Sequence, residues 1–444
     1  MDLAGLIPTF GNLAWTITFF VVALSVIVAV HEYGHYIIGR WTGIKADVFS
    51  IGFGPVLYSK HDRHGTKWQV AALPFGGYVK FRGDSNASSA KDADAMAGLS
   101  DDELRATMHG APLWARSLTV AAGPVFNFIL SIFVFAFLMG QIGVPTDELI
   151  VEEAFEFPGV PQELMPGDVI LMVEGVSLTD DQNENAISEI LPTKIATYAV
   201  RRDGKQIDVK GPWIAPTRAT YVDIGSAAEE AGIEEGDIVV SANGQPIFDF
   251  GELRRLTGES EGRPIRLEIV RDGETISVEL SARKQDRPTG DGGFETRYLI
   301  GMGGGAPFSR ATETPGVAEA LLLGVDRTFG VITNSISGLS HMIAGKISTC
   351  NISGPIRIAQ ISGQAATAGW IQFFGFIAVL SAAVGFINLF PIPVLDGGHL
   401  VFYAFEAVTG RPPSDQALKI LMAGGLTIML ALMLFAVTND IFCP

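Results

Sequence analysis

Residues 31–35 read His31-Glu32-Tyr33-Gly34-His35, two imidazoles four apart with a carboxylate beside the first. On a helix, positions i and i+4 share a face, so both rings reach one divalent metal while Glu32 stands next to it as a general base. Alone the pattern is only moderately specific, but its setting sharpens it. An uncharged run leads straight into it, and the helix is expected to continue to Arg40. A glutamate carried that deep into an apolar segment needs a partner, because an intramembrane charge costs about 2.5–3.5 kcal/mol.

A catalytic zinc site takes three protein ligands and keeps a fourth position open. The candidate third ligand is Asp396, in Asn388-Leu389-Phe390-Pro391-Ile392-Pro393-Val394-Leu395-Asp396-Gly397-Gly398-His399. It closes an uncharged run, and the two prolines break the helix just before it. His399 is a rival ligand, and a helix cap or turn is the plain alternative for Asp396. His61, His64, His109 and His341 lack partners at ligand spacing and read as surface residues.

The elements that must position these residues follow from composition. Of 444 residues 48% are hydrophobic, too many for an ordinary soluble protein, while 18% are charged, too many for a bare membrane bundle. Four runs are long enough for a hydrocarbon core, which needs roughly 20 apolar residues: Leu3–Val30, Ser117–Thr146, Ile358–Leu395 and Ile420–Asn439. Arg40, Lys45, Lys60, Arg63 and Lys67 follow the first run, and nothing basic precedes it, so the segment after it is expected in the cytoplasm. The absence of a basic start also argues for a retained helix rather than a cleaved signal. Spans one and three then run inward and end at the histidines and at Asp396. Val317–Ile347 is interrupted by Glu319, Asp326 and Arg327 and is expected as interfacial amphipathic helices.

The net charge of −17 is concentrated. Between Gln141 and Arg310 stand 31 acidic and 16 basic residues, a surface that repels nucleic acid. The same stretch repeats. Pro166-Gly167-Asp168-Val169-Ile170 returns as Glu235-Gly236-Asp237-Ile238-Val239, and Arg202-Asp203-Gly204 as Arg271-Asp272-Gly273, both at an offset of 69 residues. Short β-runs around Asp-Gly hairpin turns are expected in each copy. Val48–Tyr58 and Thr66–Phe81 read as an apolar β-hairpin with a turn at 61–65. Such a hairpin either enters the membrane shielded by protein, offering Gly52, Phe53 and Gly54 as an edge for an extended chain, or is an ordinary surface hairpin. Cys350 and Cys443 make no disulfide framework and say little about redox compartment.

The His-Glu-x-x-His in span one, Asn-x-x-Pro-x-Pro-x-Leu-Asp-Gly in span three and Gly52-Phe53-Gly54-Pro55 between them resemble the site-2 protease family of intramembrane zinc metalloproteases. Leu73-Pro74-Phe75-Gly76-Gly77-Tyr78 and Ala122-Gly123-Pro124-Val125-Phe126-Asn127 extend the likeness. The repeat, with Ser226–Asp237 its clearest stretch, resembles tandem PDZ domains of bacterial members. The resemblance implies an α-helical membrane protein of four transmembrane helices with a re-entrant β-hairpin and two inserted α+β PDZ-like domains. It implies Zn²⁺ on His31, His35 and Asp396, with Glu32 catalytic. Asn388, with Pro391 and Pro393 beside it, is implied to position substrate. Substrates would be single-pass membrane proteins already trimmed outside, such as an anti-sigma factor of the envelope stress response, and remnant signal peptides. The location implied is the bacterial inner membrane, with both termini and the repeat periplasmic and 41–113 and 397–415 cytoplasmic. The expected divisions are 1–40, 41–113, 114–142, 143–211 and 212–285 for the two PDZ-like copies, 286–357 as linker and interfacial helices, 358–400 and 415–440. For the PDZ-like pair, capture of a peptide end by strand addition and a purely steric gate are both open.

Overall fold

The computed structural model describes residues 10–442 apart from 85–95, 97, 179–190, 224 and 290–292. The chain forms two units, one of 1–140, 316–342 and 349–444, the other of 141–315 and 343–348.

Unit 1 carries helices α1 (Phe10–Trp41), α2 (Leu113–Ile142), α3 (Val317–Ile343), α4 (Pro355–Ala368), α5 (Trp370–Asn388), α6 (Asp396–Thr409) and α7 (Asp415–Phe442). Four of its segments are long and apolar enough to cross a membrane: Leu13–Trp41, Leu113–Ile142, Trp370–Asn388 and Gln416–Phe442. The third uncharged run divides. Pro355 starts α4, and Gly369 at φ 130° ends it in a backbone state that side chains resist, so the spanning helix begins only at Trp370. Span directions can be read from contacts. Phe19 meets Phe373 edge-on at 5.0 Å near one end of α1 and α5, and His31 meets Asp396 near the other, so these two run parallel. α2 runs against both: His31 lies by Asn127 and Thr42 by Thr119, while Trp370 lies by Phe137 and Gly385 by Pro124. Small residues let these backbones approach closely, as in membrane bundles generally.

α3 is one continuous helix rather than several. Its buried Ala320, Gly324 and Thr328 lie along α2, where Thr328 and Ser131 share a hydrogen bond of 3.1 Å. The end of α7 clamps the start of α4: Asp440 accepts from the amides of Gly354, Ile356 and Arg357. Beside that clamp Cys350 is disulfide-bonded. The two cysteines therefore carry more information than their number suggested, although Cys443 itself lies outside the described residues.

The hairpin after α1 is β1 (Ala46–His61) and β2 (Lys67–Phe81), each bent so that the pair makes four passes. Residues 46–51 pair antiparallel with 77–81 (Val48↔Lys80, Ile51↔Gly77) and, in the same direction, with 67–70 (Val48↔Lys67, Ile51↔Val70). Residues 56–61 pair antiparallel with 67–71, from His61↔Lys67 to Val56↔Ala71. The bends need glycine: Gly52, Gly54 and Gly76 have φ of 88°, 83° and 140°. At the tip, Asp62 accepts from Tyr36, Trp68 and the amides of His64 and Thr66. Burial pushes its carboxyl up, but these donors win and hold it at about 2.

Unit 2 holds two four-stranded sheets of the same order. The first runs Val176–Ser177, Val169–Val173, Ile195–Arg202, Lys205–Pro212; the second Gln245–Pro246, Ile238–Ala242, Pro264–Arg271, Glu274–Ser281. Corresponding strands start 69 residues apart (169 to 238, 195 to 264). Asp203-Gly204 and Asp272-Gly273 turn the long hairpins with positive φ at all four residues, the requirement of a two-residue type I′ turn. One expected boundary moves. Residues 294–310, expected within a linker, are largely strand: Met302–Gly303 pairs with Tyr221–Val222, and Phe308–Arg310 with Val151–Ala154. Ile300 and Met302 enter the second core and Phe308 the first, apolar side chains too few and scattered to declare a strand by alternation.

Candidate metal centre and active site

α1 brings His31, Glu32 and His35 to one cavity of about 330 Å³, which α6 completes with Asp396 and His399. From His31 to the end of α1 there are ten residues, about 15 Å of helix, so the pair lies within the apolar segment rather than at its tip. Asp396 reaches the same place by a sharp change of chain direction. Pro391 and Pro393 prevent continuation of α5, Val394 takes φ 106°, and α6 starts on Asp396 itself. Gly397 and Gly398 permit this, because a Cβ on either would strike the carbonyl groups of Leu389, Phe390 or Ile392. The φ of Val394 is unfavourable for a β-branched residue, and such strain is concentrated at functional sites.

The three candidate ligands fit a metal. His31 Nε2 and His35 Nε2 are 3.2 Å apart, and Asp396 Oδ2 lies 3.2 Å from the first and 3.5 Å from the second. Zinc bonds of about 2.0–2.2 Å in tetrahedral geometry separate neighbouring ligand atoms by about 3.3–3.5 Å. Asp396 Oδ2 is buried and accepts no hydrogen bond, which is costly unless a cation supplies the partner. Within the described residues these three are the only cluster with such convergence. The donor set, two imidazoles and a carboxylate, is that of catalytic zinc.

Glu32 lies against the edge of the β-sheet. A Cβ on Gly77 would stand 3.3 Å from Glu32 Cγ, and Gly77, Tyr78, Val79 and Phe81 all line the cavity. Asn388 lines it too, while its Nδ2 donates back to the Val384 carbonyl at 3.0 Å. Pro393 is gripped by α7, where Gly425 makes room for its backbone; Pro391 is exposed. Gly52, Phe53 and Gly54 form the bend of β1 and do not line the cavity, but the Phe53 ring stacks on Tyr78, which does.

Two features were missed from sequence. His109, expected as a surface residue, pairs at 3.1 Å with Asp84, whose side chain is fully buried. The expected isolation failed because the partner lies 25 residues away, beyond any helical spacing. Arg116 at the start of α2 forms a two-pronged pair with Glu406 of α6 and stacks over Tyr403, tying α6 to the bundle. His64 contacts Arg40 and Arg63, and His341 bonds the Ser337 carbonyl within α3.

Residues 19–432 match peptidase family M50. The chain belongs to that family. Along 97% of its length it is 36% identical to a zinc metalloprotease of Rhizobium meliloti, covering 97% of that protein. It is 34% identical to a zinc metalloprotease of Agrobacterium fabrum with the same coverage of both chains. It is 32% identical to the regulator of sigma-E protease RseP of Salmonella typhimurium, across 97% of this chain and 99% of the relative. This M50 chain is a zinc metalloprotease with four apolar helices long enough to cross a membrane and inserted β-sheet domains.

Proposed function

We propose that the protein is an intramembrane endopeptidase of the site-2 type, with zinc held by His31, His35 and Asp396. The observation that carries this is the convergence of three lone-pair atoms, one of them orphaned, within apolar helices and beside Glu32. Bound there, zinc would supply a Lewis acid for the scissile carbonyl and would lower the pKa of an attacking water towards about 7. Glu32 takes the proton of that water and delivers it to the departing amine. The edge formed by residues 77–81 has its partner strand on one side only among the described pairings, so an extended substrate adds to the other, next to Glu32. Gly52, Phe53 and Gly54 support that edge through the stack of Phe53 on Tyr78. Asn388 and Val394, the latter held by the turn that Pro391 and Pro393 impose, line the cavity as well. A helical substrate hides its carbonyls in internal hydrogen bonds, so helix-weak residues in a substrate favour cleavage.

The substrates proposed are single-pass proteins with short exterior parts, such as a pre-trimmed anti-sigma factor in an envelope stress response, and remnant signal peptides. The two sheets of unit 2, in this reading PDZ-like repeats, select for such trimmed substrates. The protein would reside in a bacterial inner membrane with unit 2 periplasmic and the β-hairpin and α6 on the cytoplasmic side. The alternating span directions and the disulfide at Cys350, which requires an oxidising compartment, support that orientation. The test is to incubate purified protein with a short-ectodomain single-pass substrate, with and without a zinc chelator, and identify products by mass. Cuts inside the transmembrane segment that vanish with chelator are expected; cuts confined to soluble ends would refute the intramembrane reading.

A further inference from the structure

Two imidazoles can offer Nε2 lone pairs to one metal only if each carries its proton on Nδ1. α2 provides for this at both rings. His35 Nδ1 lies 2.8 Å from the Thr119 carbonyl oxygen, an acceptor with no proton to give, so this Nδ1 is the protonated nitrogen. Eight residues on, the Asn127 side chain stands 3.1 Å from His31 Nδ1. Gly123 lies midway, and a Cβ on it would collide with His35 Nε2 and with Cε1 of both rings. Positions 119, 123 and 127 are spaced by four and form one face of the helix.

Asn127 is 0% exposed, and its Oδ1 has no hydrogen-bond partner when Nδ2 faces the ring. In that orientation His31 Nδ1 accepts, its proton sits on Nε2, and no lone pair remains for a metal. An amide has nearly the same shape turned through 180°, and the turned form meets both needs at once. Oδ1 gains a donor, and His31 Nε2 is freed.

We propose that Asn127 is a positioning residue whose side-chain oxygen accepts from His31 Nδ1–H and, with the Thr119 carbonyl, holds both histidines in the metal-binding tautomer. This rests on the ligand assignment above. Partners of this kind typically change metal affinity by about 10–100-fold. The Asn127 backbone is held separately by Ser381, so changing the side chain spares that contact.

The experiment uses the full-length protein in detergent. Zinc affinity is measured by competition with a chromophoric chelator, and the cobalt-substituted protein reports ligand geometry in its visible bands. Asn127→Leu is expected to weaken zinc by about 10–100-fold and to shift the cobalt bands. Asn127→Asp, which keeps an acceptor oxygen, should stay close to the unmodified protein. In excess chelator Asn127→Leu should keep the helical content of the unmodified protein by circular dichroism, so that weaker zinc binding is not the mark of an unfolded chain. Unchanged zinc affinity and cobalt bands in Asn127→Leu would overturn the proposal. So would Asn127→Asp as weak as Asn127→Leu, which would assign the residue to packing. His31→Ala separates the two levels. If it loses zinc while Asn127→Leu keeps it, only this inference fails; if it keeps zinc, the ligand assignment fails beneath it.

Discussion

Asp168 and Asp237 of unit 2 and the half-buried Asp396 of unit 1 have opposite surroundings. Asp168 and Asp237 are each gripped by both prongs of an arginine, Arg202 and Arg271, and each takes a further backbone amide, from Met165 and Glu234. The arginines are themselves held, by the carbonyls of Glu163 and Gly232. Asp396 has no arginine and no donor on Oδ2, only two imidazole nitrogens aimed at the same point. A buried carboxylate whose lone pairs are satisfied is part of the architecture. One left open beside two converging imidazoles marks the candidate site. The two sequence landmarks that recur 69 residues apart are the halves of each architectural pair, which explains why they stay in register.

The comparison breaks most decisively at the metal centre. Asp396→Asn should lose zinc and proteolysis together, as measured by metal analysis and product formation; full metal content would return Asp396 to the role of a turn residue. Glu32→Gln should keep zinc while turnover falls by about 10²–10⁴-fold, the usual share of a general base. A fully active Glu32→Gln would end the proposed mechanism. Gly123→Ala adds only one methyl, yet it should displace both rings and reduce zinc binding, which the chelator competition would register. In unit 2 the effects are smaller and purely structural. Asp237→Asn should cost about 1–3 kcal/mol in denaturant unfolding of unit 2, the loss of charged hydrogen bonds at a buried group, with zinc content unchanged.

The smallest effect is in pH. Burial alone would raise the Asp168 carboxyl, but Arg202 and the Met165 amide hold it below the ordinary value. A depressed folded pKa gives stability that is complete above the unfolded value of about 3.9 and is lost as pH falls through the folded one. The stability gap between the unmodified protein and Asp168→Asn should therefore be constant near neutrality and narrow only in acid below about pH 4. A gap that widens in acid would invert the assignment.

Much of this was legible because the relevant residues declare themselves by local spacing. His31, Glu32 and His35 share one helix turn, the prolines before Asp396 force a break, and Asp-Gly marks both long hairpins. What was not legible depends on backbone atoms or distant partners. The four-pass sheet arises from glycine bends whose effect on pairing no alternation pattern shows. The strands at 302–303 and 308–310 are too short for periodicity. Thr119 acts through its carbonyl, which any residue possesses, and the Asn127 side chain acquires meaning only once α2 lies against α1. Glu406 and Asp84 find their partners far along the chain, and the disulfide at Cys350 could not be read from two cysteines alone.

The most direct test of the account is X-ray absorption at the zinc edge on the detergent-solubilised full chain. The spectrum predicted is one zinc with two imidazoles and oxygen ligands at about 2.0–2.2 Å. A third imidazole, which would bring in His399, or a site that survives Asp396→Ala with an unaltered spectrum, would contradict it.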